Sequence, residues 1–201
     1  MKDAALIIFQ KKPESGKVKT RLATTIGDAK ALATYQLLLK HTHEQVALLD
    51  AAVFVYFDKE IDPNYLLHPR YKGAIQATGD LGQRMKTAIV EVRTSGYQRV
   101  LVIGSDCPGL QVSILQEAFS QLLNHDLVLG PAKDGGYYLI GMKKTHQELF
   151  ADIPWSSADV LSKTLAIAKS LHLHVFLLPT LTDVDVYEDL DEDLKRKLDL
   201  A

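Results

Sequence analysis

The fold is decided by the stretch RVLVIGSDCPG at residues 99–109. Its first half is a continuous β-branched and aliphatic run, which is typical of a strand buried on both faces. Its second half is a turn built on Gly104, Pro108 and Gly109. In open α/β sheets, ligands bind beyond the carboxyl ends of the strands. Asp106 therefore lies where a functional carboxylate is expected.

Strand and helix patterns alternate on both sides of this stretch. Because strands separated by helices pair in parallel through right-handed crossovers, the alternation predicts an α/β sheet that is mostly parallel. No linker or repeat divides the chain, so we expect one domain over residues 1–201. The further predicted strands cover residues 4–9, 51–57, 73–77, 126–129, 137–142 and 175–178, and the predicted helices cover 28–49 (capped by Asp28), 81–92, 113–123, 156–171 and 188–198.

The composition excludes several classes of protein. The chain has 201 residues, of which 47% are hydrophobic and 24% charged, and these values are typical of a soluble globular protein rather than a disordered one. A net charge of −2 does not favour nucleic acid or an anionic membrane as a partner. One cysteine excludes an internal disulfide, and no apolar run is long enough for a signal sequence or a membrane span. We therefore expect a cytoplasmic protein, and the sequence leaves dimerisation open.

A basic loop follows the first predicted strand. Glycine lets a ligand approach the backbone closely, and cationic side chains offset the charge of phosphate groups, so this loop can cradle a polyphosphate. It lacks the spacing of a P-loop or of a dinucleotide fingerprint. A basic loop exposed to solvent is the alternative. The residues concerned are Lys11, Lys12, Gly16, Lys17, Lys19 and Arg21.

Asp106 is a candidate ligand for a hard cation. Mg²⁺ takes oxygen ligands, commonly one or two carboxylates together with the phosphates of a substrate. The alternative is that Asp106 caps a helix or closes an Asx turn. Its neighbour Cys107 has no base beside it in the sequence, so we expect it to be a small buried residue rather than a nucleophile.

Two further loops carry polar groups. The run DGGYY at residues 134–138 combines glycines with two tyrosines, which suits contact with a ring or a sugar, or an ordinary turn. The run DVDVYED at residues 183–189 offers a second carboxylate for a metal shared with Asp106. A helix cap with acidic residues in the first turn is the alternative, and the spacing alone favours the cap.

Taken in order, these loops resemble a family. The runs IIFQKKPESGKVKTRL (7–22), GDLGQRM (79–85), IGSDCPGL (103–110), LGPAKDGGYYLIG (129–141), IPWS (153–156) and DVD (183–185) resemble the DUF2064 group of small bacterial glycosyltransferase-A-like proteins. The resemblance covers nearly the whole chain and extends to 2-phospho-L-lactate guanylyltransferase. It implies a three-layer αβα sandwich around a mixed, mainly parallel sheet, the Rossmann-like fold of nucleotide-diphospho-sugar transferases.

The resemblance also implies roles for individual residues. Asp106 and Asp185 would bind Mg²⁺ or Mn²⁺, and Asp106, Lys19 and Asp134 would act in catalysis. The partners would be a nucleotide or nucleotide-sugar donor and a small-molecule acceptor. The implied nucleotide and phosphate ligands are Lys17, Lys19, Arg21, Asp80, Leu81, Gly82 and Arg84, to which the composition of the basic loop adds Lys11 and Gly16. The implied acceptor ligands are Gly135, Gly136, Tyr137 and Trp155.

Two departures from the family pattern bear on the reaction. Val186 and Tyr187 replace the Thr-Pro that commonly follows the second aspartate, so the backbone there is less fixed. A single Asp106 stands where glycosyltransferases of this fold usually have Asp-x-Asp. Three hypotheses follow: glycosyl transfer from a nucleotide sugar, nucleotidyl transfer from a nucleoside triphosphate to a phosphorylated acceptor, and nucleotide binding without catalysis.

Overall fold

The computed structural model describes residues 2–200, and these form a seven-stranded sheet. The strand order across the sheet is β3-β2-β1-β4-β6-β5-β7, and only β6 runs antiparallel to its neighbours. All seven strands predicted from the sequence are present. Their bounds are β1 (Ala4–Gln10), β2 (Ala52–Phe57), β3 (Lys72–Ile75), β4 (Arg99–Ile103), β5 (Leu127–Pro131), β6 (Tyr137–Met142) and β7 (Val175–Leu177).

The central strands β1 and β4 pair in parallel, so their carboxyl ends meet at one edge of the sheet. Strand β5 has the same direction as β4, because β6 is antiparallel to both. The turn between β5 and β6 therefore lies at this edge too. One sheet edge thus collects the basic loop after β1, Asp106 after β4 and the DGGYY run.

Helices cover both faces of the sheet and make the three predicted layers. Side chains alternate along β1: Leu6 and Ile8 pack in one core with the end of α1 and with α3, whereas Ala5 and Ile7 pack in a second core with α2 and α4. Within residues 2–200, no helix has both the length and the apolar composition needed to cross a bilayer. The helices are α1 (Thr20–Ala47), α2 (Leu81–Thr94), α3 (Val112–Gln121), α4 (Val160–Ser170) and α5 (Glu192–Lys197).

The starts of three helices differ from the prediction by at least four residues, and backbone conformation explains the first two. Helix α1 begins at Thr20 rather than Asp28 and is interrupted at Gly27, where φ is 80° and ψ is 158°. Helix α4 starts at Val160 because Ser156 has a positive φ of 66°, which a regular helix does not accommodate. Helix α5 starts at Glu192, where the side chain of Asp191 accepts a hydrogen bond from Leu194 N. A short 3-10 turn at Tyr187–Asp189 precedes it.

Candidate functional site

An open cleft of about 720 Å³ lies at the carboxyl edge of the sheet. Its walls come from the loops that follow β1, β4 and β5, from helix α2, and from the segments 155–158 and 183–185. The basic loop and Asp106 therefore face the same space, as the sequence suggested. The charged side chains that line it are Lys11, Lys19, Arg21, Asp58, Arg84, Asp106, Asp134, Asp183 and Asp185.

Lys19 is the cation nearest to Asp106. Its backbone is left-handed, with φ 48° and ψ 43°, and its side chain is only 4% exposed. Nζ lies 2.9 Å from Asp106 Oδ1 and 3.5 Å from Asp185 Oδ1, and it donates a hydrogen bond of 2.6 Å to Val184 O. A single buried ammonium therefore joins the two carboxylates that the family resemblance implies as metal ligands.

Asp185 is held from several directions. Arg21 donates a hydrogen bond to its Oδ2, while Asp189 accepts hydrogen bonds from the backbone N–H groups of Asp185 and Val186. The backbone of Val184 donates to Asp106 O at 3.0 Å. Neither Asp106 nor Asp185 caps a helix, since Gln111 precedes α3 and Asp191 caps α5. The alternative of a cap with acidic first-turn residues holds instead for the 3-10 turn at Tyr187–Asp189, where Asp189 accepts the hydrogen bond from Val186 N.

Asp183 is a site residue that the sequence analysis missed. It lines the cleft beside Asp134 and Asp106. Burial first, and then repulsion by Asp134 and the other carboxylates, raises its pKa to about 6. The DVD run gave no reason to separate Asp183 from Asp185, because only the folded chain determines which of the two carboxylates is poorly solvated. The lining of the cleft holds five carboxylates against four cationic side chains.

Replacing Asp183 by asparagine is expected to stabilise the protein at pH 8 but not at pH 4. The folded pKa lies above the unfolded value, so the folded state holds its proton more tightly and loses this stabilisation as pH rises through about 6. After a discount for solvent, we expect a gain of about 1 kcal/mol at pH 8, or roughly 2–4 °C in Tm. Thermal unfolding of both proteins in EDTA at pH 4 and pH 8 measures this change in stability. An equal increase in stability at the two pH values would contradict the raised pKa of Asp183.

A further wall of the cleft is built from the β5–β6 turn and the segment 155–158. Asp134 Oδ1 accepts a hydrogen bond of 2.8 Å from Gly136 N, so this carboxylate shapes the turn and also lines the cleft. The rings of Tyr137 and Trp155 meet edge to face, with centroids 6.3 Å apart. The Tyr137 hydroxyl is buried, so this side chain offers the cleft its ring rather than its oxygen.

Gly135 locks the two parts of this wall together. Its φ is +90°, and a Cβ at this position would overlap the backbone of Ala158. Its carbonyl accepts a hydrogen bond of 2.9 Å from Leu161 N, at the start of α4. Gly135 does not itself line the cleft. It lets the turn and the segment before α4 approach closely.

Gly135→Ala is expected to lower the free energy of unfolding by about 2 kcal/mol, because strained backbone and backbone overlap add together. Gly96→Ala is the matched control: φ there is +100°, but the space around the missing Cβ is open. The control should cost about 1 kcal/mol, through backbone strain alone. Urea unfolding compares the two variants. Equal losses would mean that the contact with Ala158 does not constrain the wall.

The structure separates the implied nucleotide ligands into two groups. Lys11, Lys19, Arg21, Leu81 and Arg84 line the cleft. The other four implied ligands do not line the cleft, and their assignment to nucleotide binding stays a prediction. Asp80 caps α2 by accepting a hydrogen bond from Gln83 N, and Gly82 packs against Trp155, while Gly16 and Lys17 lie exposed in the loop.

Two polar residues of the cleft were not singled out in the sequence. Gln76, just after β3, donates to the carbonyls of Gln10 and Tyr56 and accepts a hydrogen bond from Arg84. Asp58, just after β2, accepts one from Lys12 N at 2.9 Å. Each follows a strand of the same edge, and this position is the only sequence signal that could have found them. Cys107 is buried as expected, and burial raises the pKa of its thiol.

The donor set suits a hard cation. Asp106 Oδ1 is buried and accepts no hydrogen bond in good geometry within residues 2–200, although Lys19 Nζ is close. Asp183 and Asp185 add further carboxylate oxygens to the cleft. No three His, Cys, Asp or Glu side chains in this part of the chain are already gathered as a complete ligand set. Two carboxylates and the phosphates of a substrate are nevertheless a common environment for Mg²⁺.

Comparison with known proteins places this geometry in a family. The family model of DUF2064, described as an uncharacterized protein conserved in bacteria, matches residues 18–157. No match was found among curated proteins. The crystal structure of a proposed nucleotide-diphospho-sugar transferase from Desulfovibrio desulfuricans G20 is 33% identical, with a TM-score of 0.87, over 98% of this chain and 91% of that one. The fold predicted from the sequence is therefore confirmed. The transferase class predicted from the sequence agrees with the class proposed for that structure.

More distant structures share the fold alone. The inositol-1-phosphate CTP transferase from T. maritima is 13% identical, with a TM-score of 0.62, over 98% of this chain and 95% of that one. Rv0371c from Mycobacterium tuberculosis H37Rv, solved in complex with manganese, is 12% identical, with a TM-score of 0.57, over 98% of this chain and 97% of that one.

Proposed function

We propose that this chain, which belongs to the DUF2064 family of proteins conserved in bacteria, is a metal-dependent glycosyltransferase that uses a nucleotide-diphospho-sugar donor. One observation carries the proposal. The cations of the basic loop and the carboxylates after β4 and in the 183–185 segment lie together in one cleft, where Lys19 and Arg21 pair with Asp106 and Asp185. A donor diphosphate needs both kinds of group, because its charge must be offset by side chains and by a cation.

The donor would bind on the side of the cleft formed by the β1 loop and α2. Arg21 and Arg84 both line this side, and Gln76 holds Arg84 by accepting a hydrogen bond of 3.1 Å. Asp106 and Asp185 would hold Mg²⁺ or Mn²⁺. When bound, such a cation supplies positive charge that stabilises the departing diphosphate.

The reaction joins the acceptor oxygen to the anomeric carbon of the donor sugar. The bond from that carbon to the diphosphate breaks, and the nucleoside diphosphate leaves with the bonding electrons. The proton of the acceptor hydroxyl passes to a carboxylate of the cleft, for which Asp134 is our candidate. Its second oxygen is available for this, because the bond to Gly136 N uses Oδ1.

Nucleotidyl transfer is the second candidate. It is favoured by the single carboxylate at the end of β4, Asp106, and by the basic loop, which suits a triphosphate. A nucleoside triphosphate would then lose pyrophosphate as the acceptor attacks the α-phosphate. Release of pyrophosphate supports this reaction, whereas release of a nucleoside diphosphate from a nucleotide sugar supports glycosyl transfer.

A thermal-shift screen tests the donor class. Nucleotide sugars and nucleoside triphosphates are each added with Mg²⁺ or with EDTA. We expect a nucleotide sugar to raise Tm only when Mg²⁺ is present. At a hundred times its Kd, such a ligand increases the free energy of unfolding by about 2.7 kcal/mol. Binding that is equally strong in EDTA would favour the hypothesis of a nucleotide-binding protein without catalysis. No shift with any nucleotide would refute both transfer reactions.

A further inference from the structure

The wall formed by Asp134, Gly136, Tyr137 and the segment 155–158 differs in charge from the rest of the cleft; we call it the acceptor wall. Its charged side chain is Asp134, and Asp183 lies next to it. The cationic side chains that line the cleft within residues 2–200 are Lys11, Lys19, Arg21 and Arg84. All four belong to the loop after β1 or to helices α1 and α2.

Three of these four cations are engaged by other groups, and Lys11 follows β1, which β4 and β6 separate from β5 and its turn. Lys19 and Arg21 are paired with Asp106 and Asp185. Arg84 is directed away, because its guanidinium donates to Gln76 Oε1 after β3, whereas Gly82, two residues earlier in α2, faces Trp155. Residues two apart in a helix point to nearly opposite sides. An anion at the acceptor wall would therefore meet carboxylates, and none of the cations that line the cleft within residues 2–200 is directed towards it.

The acceptor wall is also rigid and partly aromatic. Hydrogen bonds join Ala132 N to Gly136 O and Lys133 N to Leu181 O, so the turn is fixed to the segment that carries Asp183. The edge-to-face pair of Tyr137 and Trp155 supplies an apolar ring surface beside the carboxylates. Ring surface packs against the C–H groups of a sugar, and carboxylate oxygens accept hydrogen bonds from hydroxyl groups.

We propose that the acceptor is an uncharged polyol or sugar that carries no phosphate or carboxylate group. The inference rests on the proposed glycosyl transfer and specifies its second substrate. Like charges at contact distance repel strongly in a partly desolvated cleft, and the wall offers an anionic acceptor nothing in return. A hydroxyl compound without charge meets only acceptor oxygens and an aromatic surface.

The single tryptophan of the chain makes the acceptor wall directly observable, because Trp155 is part of it. The full chain is titrated with matched pairs: glycerol and glycerol 3-phosphate, myo-inositol and inositol 1-phosphate, methyl glucoside and glucose 1-phosphate. We expect at least one uncharged compound to change the Trp155 emission with saturation. The phosphorylated match of that compound should bind at least about tenfold more weakly.

Ser157→Lys is the matched variant, since it introduces a cation into the acceptor wall. It should raise the affinity for each phosphorylated compound, relative to that for its uncharged match, by about tenfold. A phosphorylated compound that binds the unaltered chain at least as tightly as its uncharged match would overturn the proposal. So would the absence of saturation by any uncharged compound up to its solubility limit. Failure of the donor class would instead appear in the thermal-shift screen with nucleotides, in which no acceptor is present.

Discussion

Replacing Asp106 by asparagine is expected to lower the rate of transfer by about two to four orders of magnitude while the fold stays intact. The substitution keeps the size of the side chain and removes the charge that a divalent cation requires. The fold should persist because Lys19 retains Asp185 and Val184 O as partners, and because 42% of the Asp106 side chain is exposed. Turnover with the donor found in the screen, Mn²⁺ binding by calorimetry and thermal unfolding give the three measurements.

Asp58→Asn is the matched control for Asp106. It removes a carboxylate from the same cleft, at the end of β2, where Asp58 accepts a hydrogen bond from Lys12 N. We expect this variant to bind Mn²⁺ like the unaltered chain and to lose less than about tenfold in rate. If Asp106→Asn works within about threefold of the unaltered rate, Asp106 is not a metal ligand in catalysis.

The strands of the fold could be predicted because each is a short apolar run whose residues have a high strand propensity. Residues 99–103 form the clearest case, since all but Arg99 are buried in the sheet. Helix ends were harder to predict. The break at Gly27 and the left-handed turn at Ser156 depend on backbone conformations that composition does not specify.

The loops of the site were predictable from their position after strands, but the contacts within them were not. A basic loop predicts affinity for anions, yet the left-handed backbone of Lys19 buries its ammonium against two aspartates. The DVD run predicts carboxylates without telling which one is desolvated. Asp80 and Gly82 belong to a family motif, but in the structure Asp80 caps α2 and Gly82 packs against Trp155. Such distinctions depend on contacts between residues far apart in the sequence.

Lys19→Met is expected to destabilise the metal-free protein and, at the same time, to strengthen its binding of Mn²⁺. The ammonium lies between Asp106 and Asp185, and its removal leaves two carboxylates repelling each other. Breaking a buried ion pair typically costs 3–5 kcal/mol; because both aspartates are partly exposed, we expect about 2 kcal/mol, or roughly 4–8 °C in Tm. Methionine matches lysine in length and lack of branching, so the backbone strain at residue 19 is nearly unchanged.

Added Mn²⁺ should restore the stability of Lys19→Met more than it stabilises the unaltered chain, because the cation replaces the missing positive charge. Calorimetry with Mn²⁺ alone should give an affinity about tenfold higher for the variant. Lys17→Met is the control: this lysine is exposed in the same loop and does not line the cleft. If Lys19→Met binds Mn²⁺ no better than the unaltered chain but loses nucleotide affinity, then Lys19 binds phosphate and does not compete with the metal for its carboxylates. Thus the two variants, measured with metal alone and with nucleotide alone, distinguish a lysine that holds the place of the cation from one that binds the donor.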